Sequence, residues 1–182
     1  IEIPIGEDIV KAKVWQYSLS KNTHIFLLDT DIPENEKENK NITSILYDSH
    51  FYRRIKQQII LGIGGIRLMS LLDISPSIYH LNEGHTAFAG IAILAERKED
   101  KDKIMATKHT ILSEAGLRMN FADFDNLFGP YCKKYGLKIR ELFKKGKYET
   151  DPDFFSTTQF LMNISLRKNG VSDSHVFFEK KK

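Results

Sequence analysis

From Ile9 to Tyr17 polar and apolar residues alternate, with Val10, Ala12 and Val14 on one side and Trp15 and Tyr17 on the other, which predicts a strand. Ser18 to Thr23 reads as a turn and Ile25 to Leu28 as a second strand, a pair able to close a hairpin. Thr30 to Lys40 is polar, contains Pro33 and reads as a surface loop. Asn41 is placed to cap a short helical stretch through Leu46. From Phe51 the period lengthens: Ile55, Ile59, Ile63 and Ile66 recur at helical spacing and predict a long helix. Gly62, Gly64 and Gly65 fall inside it, and each weakens a helix by ~1 kcal/mol relative to alanine. They imply close packing against a neighbour or a break. A phosphate-cradling loop is the rival reading, but such a loop follows a strand and opens a helix, and these glycines do neither.

The apolar run Ile78 to Leu81 follows the breaker Ser75-Pro76 and reads as a buried strand. It ends at the polar cluster Asn82, Glu83, Gly84 and His85, after which Thr86 opens an amphipathic helix to Arg97 through Phe88, Ile91, Leu94 and Ala95. In an open α/β sheet such a crest, at the carboxyl end of a strand, is where ligands bind. Gly84 permits a sharp turn or a close backbone approach, and the helix start offers unpaired N–H groups. The bland alternative is that Glu83 caps the helix and His85 is an ordinary turn histidine; spacing alone favours neither. Glu96 to Lys103 reads as a solvated charge run. Ile104 to Ala106 then repeats the first pattern, with Thr107-Lys108-His109-Thr110 as its polar turn. If the two strands are parallel neighbours, His85 and His109 face one cleft.

The remainder reads as helical. One piece runs from Ala122 to Phe128, is interrupted at Gly129-Pro130 and resumes from Tyr131 to Tyr135. A basic helix from Lys138 to Lys145 ends at Gly146 in the position of a left-handed C-terminal cap. Asp151-Pro152-Asp153 starts a helix with Phe155, Leu161, Met162 and Leu166 on its apolar positions, stopped by Asn169-Gly170.

Composition narrows the class. The 182 residues suffice for one domain with a sizeable core. The net charge of +3 is spread along the chain and does not argue for nucleic acid. No apolar run approaches membrane length. The single cysteine, Cys132, provides neither an internal disulfide nor a metal cluster, and an intracellular, cytoplasmic setting fits.

Leu81-Asn82-Glu83-Gly84-His85 with Ala87-Phe88 resembles the signature loop of the bacterial and archaeal α-glucan phosphorylases. Other blocks agree in order: Leu28 to Asn35, Ile42 to Ser44 with Leu46-Tyr47, Gly62 to Arg67, His109-Thr110 with Glu114-Ala115, and Asn169 to Ser172 with His175. These blocks cover nearly the whole chain. The resemblance implies an α/β fold: the Rossmann-like part of a two-domain glycosyltransferase-B architecture, with a helix-rich C-terminal part. Residues 1–182 would form a single α/β domain, an internal fragment of the family's N-terminal domain, with the cofactor domain absent from this chain. It further implies reversible phosphorolysis, in which an α-1,4-glucan and phosphate give glucose 1-phosphate and a shortened glucan. The family's cofactor is pyridoxal phosphate, whose phosphate group helps move a proton to the substrate phosphate.

By that resemblance Asn82, Glu83, His85 and His109 are substrate-binding residues. His109 matches the histidine that hydrogen-bonds the glucose primary hydroxyl. Glu83 and His85 match an acidic residue and a histidine on the glucan side, and Asn82 braces the loop. No catalytic proton-transfer residue, cofactor lysine or metal ligand is expected in this segment. The expected partners are α-1,4-glucan or maltodextrin, phosphate and glucose 1-phosphate, with a homodimer as the family's habit. The lysines cluster in surface-type runs, so the isolated chain is expected neither to bind pyridoxal phosphate nor to phosphorolyse glucan. The alternative is a non-catalytic glucan-binding or regulatory module. A generic nucleotide-binding protein using Gly62 to Gly65 is the third reading.

Overall fold

The computed structural model describes residues 1–110, 116–148 and 150–171. The expectations for Glu114-Ala115 and for Ser172 and His175 lie outside the described residues.

The chain opens with a hairpin, β1 (Glu2–Ile5) and β2 (Asp8–Lys11), turned by Gly6 at φ +61°. The single strand expected from Ile9 to Tyr17 is therefore two strands in two sheets. The chain changes sheet at Ala12, and β3 (Lys13–Ser20) pairs instead with β4 (Thr23–Asp29). Alternation continues across this corner, so periodicity could not reveal it. The β3–β4 hairpin is the one expected, with a shorter turn. Its outer face leaves Trp15, Tyr17, Leu19, Ile25 and Leu27 exposed.

The stretch read as a surface loop is a latch. Asn35 is buried and its carboxamide spans two elements. Oδ1 accepts from Lys11 N at 3.0 Å, and Nδ2 donates to Lys11 O and Thr30 O at 2.7 Å each. Thr30 is fully buried beside Thr43, hydroxyl to hydroxyl at 3.0 Å. A short helix, α1 (Lys37–Lys40), follows, and the helix expected up to Leu46 is only a 3₁₀ turn over Asn41–Thr43, with no side-chain cap.

The long helix appears as α2 (Phe51–Ile59) and α3 (Gly65–Leu71), joined without a break by a π-helical turn over Ile60–Gly64. Ile55, Ile59, Ile63 and Ile66 are all buried, as their spacing required. A Cβ on Gly62 would lie 2.4 Å from Ala89 N and 2.6 Å from Phe88 C, so two helix backbones touch there. Gly64 likewise packs against Ile3 and Leu28, whereas a Cβ on Gly65 would meet nothing.

β5 (Tyr79–Asn82), α4 (Ala87–Glu96) and β6 (Ile104–Lys108) form a strand–helix–strand unit, and β5 and β6 are parallel neighbours with Leu81 opposite Ala106. α4 is not amphipathic in its packing. Eight of its ten residues are buried, and Leu94, expected in the core, is one of the two that are not. It lies between Gly62 on one side and Ile164 on the other; a Cβ on Gly90 would come within 2.0 Å of Ile164 Cδ1. Small residues let a central helix be enclosed at this distance.

The charge run after α4 is half interior. Glu96 takes Arg67 Nε at 2.9 Å and the Tyr131 hydroxyl at 2.7 Å. Asp100 is buried, accepting from the Tyr79 hydroxyl at 2.6 Å and from Lys103 Nζ at 2.5 Å.

The C-terminal part holds the three helices expected there, with strands between them. β7 (Arg118–Asn120) precedes α5 (Phe121–Lys134), which runs unbroken through Gly129-Pro130. Proline has no N–H to give Asn126 O, and the β1–β2 turn approaches at that place: Gly6 N donates to Leu127 O at 2.9 Å. After α6 (Ile139–Lys144) comes β8 (Lys147–Tyr148). Gly146 lacks the positive φ of a left-handed cap; its Cβ would fall 2.2 Å from the Phe155 ring, so it is a packing glycine. Asp151–Ser156, expected as helix, is β9, the central strand between β7 and β8. Its Phe155 is fully buried, 4.5 Å from the Phe124 ring and 5.2 Å from Phe160. α7 (Thr157–Ile164) starts at Ser156, whose hydroxyl accepts from Gln159 N at 3.3 Å. β10 (Arg167–Gly170), expected as a helix terminus, pairs parallel with β6, giving the parallel order β10–β6–β5. Tyr79, Leu81, Ile104 and Ala106 of this sheet share one buried cluster with α4. His80, Asn82, Arg167 and Asn169 are exposed.

Candidate functional site

The carboxyl ends of β5 and β6 lie side by side, so the two histidine turns share one edge of the sheet. Glu83 extends the ladder by one bond, its N–H donating to Thr107 O at 2.9 Å. Its backbone then turns to φ +65°, ψ 170°, a region almost restricted to glycine, where a side chain carries about 1–3 kcal/mol of strain. The Glu83 carboxylate does not cap α4, which starts after a 3₁₀ turn (Gly84–Thr86) with no side-chain cap. It crosses to the neighbouring turn, where Oε1 accepts the backbone N–H of His109 and that of Thr110, the latter at 2.8 Å. Asn82 Oδ1 lies 2.6 Å from His109 Nε2, so the ring is held from the same loop. Thr86 Oγ1 donates to Glu83 O at 2.9 Å and to Asn82 O at 3.3 Å, closing the first turn on itself.

Gly84 is buried beneath this loop. A Cβ there would stand 2.6 Å from Thr158 Oγ1 and 2.9 Å from Thr157 Oγ1; Gly116, at φ +97°, approaches the same two hydroxyls. Thr157 Oγ1 also accepts Leu117 N at 3.0 Å. The start of α7 thus lies against both Gly84 and Gly116, a relation that the sequence carries only as a Thr-Thr pair at the end of a strand.

His85 is half-buried. Burial lowers its pKa; Glu83 opposes the shift, while Arg54 and His109 add to it, and the ring is neutral at pH 7. Arg54, on the exposed face of α2, enters the electrostatics of the crest although nothing in its spacing marks it out. His109 and Asn82 are exposed. Two residues further in along each strand, His80 Nε2 stands 2.5 Å from Thr107 Oγ1. All four sequence-predicted site residues, Asn82, Glu83, His85 and His109, are thus brought to one crest. The arrangement gathers two imidazoles, a carboxamide and a carboxylate at one edge of the sheet. Among the described residues no group of three or more metal-ligating side chains comes together. Lys108 is buried on β6, contrary to the expectation that every lysine is on the surface, and it alternates onto the face of Ile104 and Ala106.

The chain is 32% identical to the maltodextrin phosphorylase of Thermococcus litoralis over 96% of its own length and 22% of that protein. It is 28% identical to the glycogen phosphorylase of Mycobacterium tuberculosis, over 96% of this chain and 23% of the relative. With the glycogen phosphorylase of Aquifex aeolicus it shares 30% identity over 94% of this chain and 26% of the relative. The chain therefore spans about a quarter of the length of the curated relatives it matches. No protein-family model matches it. Among solved structures, the catalytic domain of starch synthase IV from Arabidopsis thaliana bound to ADP and acarbose superposes with a TM-score of 0.64 at 15% identity, covering 91% of this chain and 31% of that one. That likeness carries the fold alone, and the fold is that of part of a glycosyltransferase-B catalytic domain. In sequence, nearly the whole chain is similar to one partial segment of the maltodextrin and glycogen phosphorylases.

Proposed function

We propose that the chain supplies the sugar-facing half of the cleft of an α-1,4-glucan phosphorylase, which converts glucan and phosphate to glucose 1-phosphate and a shortened glucan. The observation that carries this reading is the convergence of Asn82, Glu83, His85 and His109 at one sheet edge, within a segment similar along nearly its whole length to glucan phosphorylases. Residues 1–182 act as one α/β unit of the N-terminal half, and the other half of the cleft lies elsewhere in the whole protein. His109, exposed and with its Nε2 engaged by Asn82, offers Nδ1 to a sugar hydroxyl. Neutral His85 serves as a hydrogen-bonding group beside it. His109 and His85 bind and orient the sugar, and no residue here is assigned a proton transfer.

Pyridoxal phosphate belongs, on this reading, to the whole protein and not to this segment. The residues here do not fit it. Among the described residues the buried lysine is Lys108, which shares the strand face of Ile104 and Ala106, and among them no convergent set of cations for the cofactor's phosphate accompanies it at the crest. The test is release of glucose 1-phosphate from maltodextrin and phosphate by the whole protein that carries this segment. Turnover that requires pyridoxal phosphate is expected. Maltodextrin binding without any release of glucose 1-phosphate would instead assign a non-catalytic glucan-binding role.

A further inference from the structure

We propose that Glu83 is a positioning residue, a strained brace that sets the loop presenting His109 and does not itself touch the ligand. The proposal rests on the glucan reading above for the identity of the ligand, while the brace stands on geometry. Two adjacent positions carry the argument. Glu83, not Gly84, has the backbone conformation that favours glycine, at φ +65° and ψ 170°. Gly84 has no positive φ; it is glycine because a Cβ would collide with Thr158 Oγ1 at 2.6 Å. Chain stability by itself would place glycine at both positions. A glutamate at the first is instead held where its carboxylate reaches the consecutive N–H groups of His109 and Thr110. One acceptor gathering two backbone donors dictates the direction in which the second loop leaves β6. Asn82, on the same turn, then orients the His109 ring by its contact to Nε2. The His109 loop thus takes its geometry from the Glu83 loop.

The experiment compares Glu83→Gly, Glu83→Ala and Glu83→Gln in this chain by thermal unfolding, amide NMR and maltodextrin titration. Gly and Ala both remove the carboxylate, so their difference isolates the backbone. E83G is expected to unfold on the order of 5 °C above E83A, the reverse of the usual advantage of alanine over glycine. Both should lose the hydrogen-bonded amide shifts of His109 and Thr110 and bind maltodextrin on the order of tenfold more weakly. E83Q, which keeps an acceptor at the same reach, should restore much of both. An E83G protein that melts no higher than E83A overturns the strain. Wild-type amide shifts and maltodextrin affinity in E83A overturn the brace. Failure of the unmodified chain to bind maltodextrin would count against the glucan reading, and the melting order and amide shifts would still decide the brace.

Discussion

The two loops at the sheet edge follow neighbouring strands paired in parallel over four positions and carry one histidine each, yet they are built differently. The loop after β5 is supported from within and beneath. Thr86 closes it, Gly84 rests on the start of α7, and the helix it leads into is enclosed between Gly62 and Ile164. The turn that starts at His109 and Thr110 is exposed at His109 and is held at these two residues from the first: Glu83 holds their backbone and Asn82 the His109 ring. One loop is therefore scaffold and the other is presented surface. Substitutions in the first should cost stability, and substitutions in the second should cost binding.

The largest effect is expected beneath the first loop. Gly62→Ala would put a methyl group 2.4 Å from the backbone of α4, which cannot rotate away. A loss of about 3 kcal/mol, read by urea unfolding, is the expected outcome; a change near zero would mean that the two helices are not in contact there. Gly84→Ala meets Thr158 Oγ1, a side-chain atom able to shift, and Thr158 N at 3.1 Å. About 1–2 kcal/mol should be lost in the same measurement, with weaker maltodextrin binding because the brace moves with the loop.

His109→Ala should divide the two properties. Unfolding should stay within about 0.5 kcal/mol of the parent, as for an exposed position. In the whole protein, turnover of maltodextrin should fall in both kcat and kcat/KM, the signature of a contact stronger in the transition state. A destabilised variant with unchanged kinetics would reverse the assignment of scaffold and surface.

The smallest effect concerns His85. Burial lowers its folded-state pKa below the ordinary value of about 6.5, so the folded state favours the neutral ring. That contribution is fully present above about pH 6.5 and is lost as pH falls through the folded-state pKa. Urea midpoints measured from pH 7.5 downward should decline through this window in the parent and decline less in His85→Gln. Parallel curves would place His85 in solvent, like His109.

Local pattern was sufficient where an element's neighbours are close in sequence. The strand–turn–helix–strand from Tyr79 to Lys108 was legible because Ser75-Pro76, the polar cluster at Asn82 and the apolar runs each reflect short-range constraints. The resemblance carried by Leu81 to His85 agreed with the relatives over nearly the whole chain. It was less informative beyond Leu117. Asp151–Ser156 looks like a helix start, and it becomes a strand because β7 and β8 lie on either side of it and Phe155 fills an aromatic cluster. Its β7 partner lies more than thirty residues away in sequence, and such a pairing leaves no periodic mark on the strand itself.

The sequence by itself determined the parallel pair, the crest, the isoleucine face of the long helix and the family to which the segment is related. These follow from residue types acting over one turn or one strand, where sterics and hydrophobic period operate locally. Tertiary structure alone decided that Asn35 is a latch, that Pro130 can sit inside a helix, that α4 is enclosed between Gly62 and Ile164 and that Glu83 turns away from its own helix to hold His109. Each of these depends on a donor, an acceptor or a missing Cβ from a distant part of the chain, and a hydrogen bond or a close approach is specified by both partners at once.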